Sequence, residues 1–405
     1  MSPVAVLRTH GVARLLGASL LGRVPATAIG LLLLLQVRDL GGSYAAGGLA
    51  AGVFSLGLAA SSPLLGRAID ARGQTGVLRF GAWTSGAALV AVALLPHDWP
   101  LWPVMALAFV IGATHPPLSA CLRTLWGTVL PDADARHAAF ALEASSQELC
   151  FIFGPLVLVS LLAVHDPAAA LVVAAVILVV GTTLFVGAQA SRDWRGTPPA
   201  PGAVRVRALS APGVRTLLIV GGGMGASFGA IEVGIAASAE AAGSRAATGA
   251  LLAVWGVGSI LGGIAAARHG APADRAAAVV LLLAVLSACD ALLVGAASSV
   301  WAIGAVLVLC GAAIAPLFTI VYGLAGDLAL PGTVTEAFTW LGTGISAGVA
   351  AGSAVAGALA STDLGPSACF AVGAAAVVAA ALSAQVRVRT LGPDGMTEPA
   401  GLALA

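Results

Sequence analysis

The sequence predicts an all-α polytopic membrane protein with twelve transmembrane helices in two six-helix halves. Three observations predict it. Hydrophobic residues make up 59% of the chain and charged residues 9%, against roughly 45–50% and 25% in soluble domains. Apolar runs of about 20 residues, enough to cross a ~30 Å hydrocarbon core as a helix, recur along the whole chain. A polar, Pro- and Arg-rich stretch, "SRDWRGTPPAPGAVRVRALSAPG", divides those runs six and six. One soluble core could not bury this much apolar surface, so lipid is the solvent for which the chain is written.

In order, the spans run roughly 12–36, 43–66, 76–95, 101–123, 137–163, 167–189, 213–238, 246–267, 276–297, 300–326, 333–360 and 364–386. The breaks "PHDWP", "LPDADARH", "VHDP" and "RHGAPADR" carry the Gly, Pro and Asp that punctuate helices. Within the first span, "ATA" at Ala26–Ala28 resembles a signal-peptide cleavage site. Arg23 interrupts the apolar region before it and "IGLLLLLQV" continues as a span, so no cleaved leader is expected. The expected organisation is therefore 1–189 as an N-terminal six-helix bundle, 190–212 as a cytoplasmic linker, 213–390 as a C-terminal six-helix bundle, and 391–405 as a disordered cytoplasmic tail.

Arginine placement orients the spans. All 19 basic residues are arginine. With the N-terminus in the cytoplasm, sixteen fall on that side, Arg38 and Arg245 fall on the other, and Arg23 lies inside the membrane. The positive-inside rule then places both termini in the cytoplasm. The absence of lysine and the bias to Ala, Gly, Val and Leu fit a GC-rich bacterial genome, hence a bacterial cytoplasmic (inner) membrane. A net charge of +1 gives no general attraction to nucleic acid. The five cysteines are scattered through apolar runs without paired spacing and read as core residues. No CxxC, Walker-type loop or GxSxG occurs, so no metal, cofactor or enzyme activity is expected.

The halves resemble one another at an offset near 200 residues. "VFSLG" (Val53–Gly57) matches "VWGVG" (Val254–Gly258), each followed by an arginine ten residues after its last glycine, Arg67 and Arg268. "GATHPPL" (Gly112–Leu118) matches "GAAIAPL" (Gly311–Leu317), and the Leu-Pro pairs at 130–131 and 330–331 precede "EA" at Glu143 and Glu336. Together these matches favour parallel repeats of six helices, with a substrate site near the midplane between them and access that alternates by rocking. Gly344, Gly348 and Gly352 in the eleventh span, and Gly48 and Gly52 in the second, form small-xxx-small faces. Such faces serve a moving interface or a static one.

Between Gly66 and Gly76 lies "GRAIDARGQTG". This turn resembles the signature between the second and third helices of the major facilitator superfamily, roughly G-x-L-x-D-R-x-G-R-R. Gly66, Asp70 and Gly73 stand in register; the arginine falls one place late, at Arg72, and Gln74 and Thr75 replace the two basic positions. The resemblance implies a cytoplasmic gate in which Asp70 and Arg72 contact the eleventh helix, with Glu336 near its start as a further member. An ordinary positive-inside turn is the alternative. Two more family patterns bear on direction. The Gly-Pro motif of antiporters is represented by Gly154-Pro155 in the fifth span, whereas the fourth-span arginine of antiporters is replaced by Ala108.

An ionised carboxylate at bilayer depth is costly, so it needs a reason. Arg23 lies about eleven residues into the first span and Glu148 eleven after His137, which puts both near the midplane at 1.5 Å per residue. In the resembled fold the first and fifth helices line the central cavity, so Arg23 and Glu148 are expected to face it and to pair. A guanidinium nearby favours the ionised acid and loss of water the neutral one, so a change of contact and hydration would move a proton. A fixed buried ion pair is the alternative. Glu143 and Gln147 share a face away from Glu148, and Glu143 either reaches Arg136 or water or takes part in coupling. Glu232 ranks second as a coupling or substrate residue. Asp290 reads as a structural partner or an interfacial group. His115, before Pro116-Pro117, is either a titrating group or a neutral histidine at a kink. Pro25, Pro117 and Pro316 interrupt helix ladders and mark local bends.

The expected activity is secondary transport by a protein of the major facilitator type. It is read as export of a small organic solute in exchange for protons, driven by the proton gradient, by a monomer that carries no cofactor. Symport or facilitated uptake, for instance of a sugar, is the runner-up, and a non-transporting membrane sensor the third reading.

Overall fold

The computed structural model describes residues 3–9, 11–97, 100–130, 132–163, 166–196, 206–243, 246–360, 362 and 365–392. Pro131, Arg205, Arg245, the middle of the expected linker and the tail from 393 lie outside the described residues. The architecture is all-helical, with twelve helical spans long and apolar enough to cross a membrane. They are α1 (Val12–Asp39), α2 (Ala46–Arg72), α3 (Gln74–Ala93), α4 (Trp102–Val129), α5 (Ala133–Val159) and α6 (Pro167–Val186). The second six are α7 (Pro212–Ala241), α8 (Ala247–His269), α9 (Arg275–Ala296), α10 (Val300–Leu328), α11 (Val334–Ala360) and α12 (Gly365–Val386).

The breaks are built by capping. Asp132, Asp166 and Asp274 each accept a backbone N–H three residues on, from Ala135 (3.0 Å), Ala169 (2.9 Å) and Ala277 (2.9 Å). Ser43 and Ser299 do the same for α2 and α10. A side-chain oxygen at this position satisfies one of the amides that a helix start leaves orphaned, worth about 1 kcal/mol.

Two compact units divide the chain. One contains Leu7–Val129 and Leu149–Ala203; the other contains Met1–Val6, Leu130–Glu148 and Val204–Ala405. The boundary thus falls inside α5, immediately after Glu148. In the first unit, α1 breaks at a 3₁₀ turn, Val24–Thr27, where Pro25 removes a ladder hydrogen bond. Thr27 Oγ1 donates to the Cys150 carbonyl of α5 at 3.0 Å. A methyl group at Gly154 would run into Thr27 Oγ1 and sit 2.7 Å from the Val24 carbonyl oxygen, so only glycine lets α5 cross here. Pro155 then opens a π-helical stretch, Pro155–Ala163.

In the other unit, α11 lies along α7 on an interlocking glycine seam. Gly344 packs on Leu218, Gly348 on the Gly222 carbonyl and Gly352 on the Ala226 carbonyl, while Gly225 and Gly229 of α7 meet the Ile345 and Val349 carbonyls in return. Backbone-to-backbone approach of this kind is how helices associate where lipid removes the hydrophobic drive. Gly48 and Gly52 behave differently: no atom lies within 4 Å of where their Cβ atoms would be, so that face of α2 is open.

The duplication is structural. In the first unit Gly112 of α4 abuts the Phe54 carbonyl and Leu58 amide of α2; in the other, Gly311 of α10 abuts the Trp255 carbonyl and Ser259 amide of α8. Trp102 and Trp301, at the starts of α4 and α10, are 70% and 90% exposed, as expected of amphipathic rings at a membrane–water boundary. Gly154 and Gly352 repeat one another too, each against a carbonyl of the helix that opens its half.

Gly348→Leu is therefore expected to destabilise the protein by more than about 2 kcal/mol, because a side chain there must displace the Gly222 backbone. Gly48→Leu is expected to be silent. Thermal unfolding of the two detergent-solubilised variants, followed by monodispersity, checks the difference.

Candidate functional site

Two places carry the sequence-predicted groups: a polar seam between α5 and α8, continuous with an aromatic cluster, and the turn between α2 and α3. The seam runs antiparallel. Asp134 Oδ1 faces Gly270 and the Ala271 amide (3.5 Å), and His137 contacts the Ala266 backbone. Further in, the Ser145 hydroxyl fills the space above Gly263, and a Glu148 carboxylate oxygen lies 3.5 Å from where a Cβ on Gly256 would be. Glu148 also interacts with Ser259, whose buried Oγ completes no hydrogen bond of good geometry. Gly263 on α8 makes the room that the Ser145 hydroxyl fills, and Gly256 borders the acid at ordinary contact distance.

Trp255 is the residue before Gly256 and is 8% exposed. Its ring meets Phe228 of α7 edge-on, with centroids 5.6 Å apart. Phe228 continues to Phe318 of α10 at 5.9 Å, and Phe318 stacks on Tyr322 at 5.3 Å. The Trp255 Nε1 donor is buried without an acceptor among the described residues. Glu232 stands one turn beyond Phe228 on the open face of α7. Both acids stand out in the sequence and the rings do not. The signal was present in the four-residue spacings Phe228–Glu232 and Phe318–Tyr322, and in Trp255 at the repeat position held by Phe54.

The remaining predicted groups are placed as follows. Arg23 is buried at the end of the first segment of α1, close enough to the Cys150 thiol of α5 to act on it electrostatically. Glu143 is fully buried within α5, Phe140 one turn earlier packs on Phe338 of α11, and Gln147 is half-buried. Glu336 is buried in the first turn of α11. His115 sits at the break in α4 before Pro116-Pro117, edge-on to Phe54, with Nδ1 lacking a partner among the described residues. Pro316 lies inside a continuous helix. Asp290 is buried and accepts a hydrogen bond from Ser227 Oγ at 2.7 Å, a link between α9 and α7.

At the α2–α3 turn, Gly66 and Asp70 are buried and Arg72 is exposed. Gly73 joins the helices with φ of 87°, a left-handed value that favours glycine. Gln74 occupies a position where the resembled signature is basic, and it is fully buried. Its amide donates to the Cys121 carbonyl of α4 at 3.1 Å and accepts from Ser191 Oγ at 3.1 Å. A neutral amide can satisfy both a carbonyl and a hydroxyl; an arginine could only donate. Among the described residues, no group of three or more His, Cys, Asp or Glu side chains is placed to hold a metal ion.

These features define a membrane transporter built from two six-helix repeats. The model of the Major Facilitator Superfamily matches residues 15–268, and the chain belongs to that family. The fold is shared with the human organic anion transporter MFSD10 (TETRAN), at 18% identity and a TM-score of 0.70 over 92% of this chain and 98% of that one. It is shared equally with a bacterial homologue of the iron transporter ferroportin in its outward-facing state, at 14% identity and a TM-score of 0.73 over 93% and 98%. No curated protein matches the sequence. As a family member the chain crosses the bilayer repeatedly and carries a small-molecule substrate.

Gln74→Ala is expected to cost about 1–3 kcal/mol, because it strands a buried carbonyl and hydroxyl together. The apparent melting temperature of the purified protein checks it.

Proposed function

We propose that the protein exports a small organic solute in exchange for protons by alternating access, using Glu148 as the proton-carrying acid. The observation that carries this reading is a carboxylate set on the α5–α8 seam beside an aromatic cluster, within helices that cross hydrocarbon. An ionised acid at that depth costs about 2.5–3.5 kcal/mol on insertion scales. The cost falls away when the acid takes a proton or meets a cation. A single carboxylate for which proton and cationic solute compete couples their movements in opposite directions.

The site's chemistry favours a substrate with a flat apolar body and a positive charge. Phe228, Trp255, Phe318 and Tyr322 offer ring faces, each able to attract a desolvated cation by about 0.5–2 kcal/mol. Glu232, open on α7, supplies a second acid for recognition or coupling. Arg23 provides the counter-charge to the acid during part of the cycle, and Asp70, Arg72 and Glu336 serve the cytoplasmic gate. The energy source in this reading is the proton gradient, in a cytoplasmic membrane. Ala108, fully buried where antiporters of the family carry an arginine, supports a second reading of proton symport or facilitated uptake.

In reconstituted vesicles, Glu148→Gln is expected to lose at least tenfold of pH-gradient-driven flux while keeping its folding. Undiminished coupling would remove the role from Glu148. The direction of counterflow under an imposed gradient separates export from uptake, with a panel of aromatic amines as the first substrates.

A further inference from the structure

Beside the α2–α3 turn is a cavity of about 540 Å³ lined by four arginines, Arg72, Arg79, Arg192 and Arg195, with Gly73, Thr75 and Gly76 between them. The volume lies in the range of about 300–1,000 Å³ typical of small-molecule sites. No carboxylate lines it, and among the described residues no acid pairs with any of the four guanidinium groups. Like charges gathered in one hollow repel one another, and an anion bound among them relieves that repulsion. Arg195 is aimed by its own surroundings, donating to the carbonyls of Arg192 and Trp194 (2.9 Å). The chain uses arginine for every positive charge, so the argument rests on the position of these residues and not on their type.

We propose that this cavity binds a phosphate ester, with the headgroup of an anionic phospholipid favoured as its source. Guanidinium groups grip phosphate oxygens bidentately. The amides of the first turn of α3, which no side chain caps, add donors of the right polarity. The lipid source follows from what continues beyond the cavity. Thr75, Arg79 and Trp83 recur every fourth residue and so form one stripe of α3, and Phe80 and Trp83 are 65% and 64% exposed. A headgroup held by the arginines would lay its acyl chains along those two rings. The arginine distribution assigns this end of α3 to the cytoplasmic side, where anionic lipids attract basic segments by about 1 kcal/mol per residue.

The test uses the full chain in detergent, with dihexanoyl phosphatidylglycerol, dihexanoyl phosphatidylcholine and inorganic phosphate as separate probes. Native mass spectrometry counts bound lipid and calorimetry reads phosphate. The expected result is preferential binding of phosphatidylglycerol, weakened at least tenfold in Arg79→Gln/Arg192→Gln, weakened by added salt, and largely kept in Arg79→Lys/Arg192→Lys. Phosphate binding that shows the same dependence on the arginines would assign the site to a soluble phosphate ester and uphold its chemistry. Equal binding of both lipids with no phosphate binding, or phosphatidylglycerol binding unchanged in the Gln variant and in Arg72→Gln/Arg195→Gln, would overturn the proposal. Arg38→Gln, on the opposite end of the spans, is the control.

Discussion

Hydrocarbon offers neither water to complete backbone hydrogen bonds nor a hydrophobic force to press helices together, so close backbone contact at glycine governs everything else in this chain. The contact of Gly311 with the Trp255 carbonyl and the Ser259 amide shows the consequence. It holds α8 against α10 at the level where α8 carries Trp255, Gly256 and Ser259. Gly256 and Ser259 border Glu148, and Trp255 belongs to the aromatic cluster. A packing device thereby becomes the frame of a polar site.

The two repeats use one scaffold for different contents. Gly57 and Gly112 in the first correspond to Gly258 and Gly311 in the second, yet Phe54 faces a histidine where Trp255 faces a phenylalanine. The first repeat thus offers a ring and an imidazole at a helix break, and the second a run of four rings. Duplication preserves what lipid packing demands and leaves the lining side chains to diverge, as function demands of sites grafted on a common fold.

Composition and length made the class and the twelve spans legible, because backbone polar groups in a bilayer are satisfied by helices or closed barrels and apolar runs of about 20 residues fit helices alone. The acids were legible for the same reason: a glutamate in "HAAFALEASSQELC" violates its surroundings. Glycine seams were half legible. Gly348 and Gly48 share a spacing, but only the former meets a neighbouring helix, and spacing alone does not say which face is covered. Gln74 read as a loss of charge from a familiar pattern; its carbonyl and hydroxyl partners come from α4 and the short helix at 189–193, which no local window contains. The aromatic cluster escaped because single rings in apolar spans are unremarkable until α7, α8 and α10 converge. Arg72 was legible as a gate residue and Arg79, Arg192 and Arg195 only as topology signals, since the cavity joins Arg72 and Arg79 to Arg192 and Arg195 over more than a hundred residues of chain.

What matters most is whether the surface bearing Glu232 and the rings is wet. Thiol labelling measures it directly, in a background whose five native cysteines are replaced, with Glu232→Cys and Glu148→Cys compared to Leu261→Cys on the exposed, apolar side of α8. A hydrophilic, membrane-impermeant reagent should modify the first two from at least one side of the membrane and spare the third. Positions 232 and 148 as inert as position 261 would mean that acyl chains, and not a water-filled path, cover the acids, and exchange of protons for solute at this site would be contradicted.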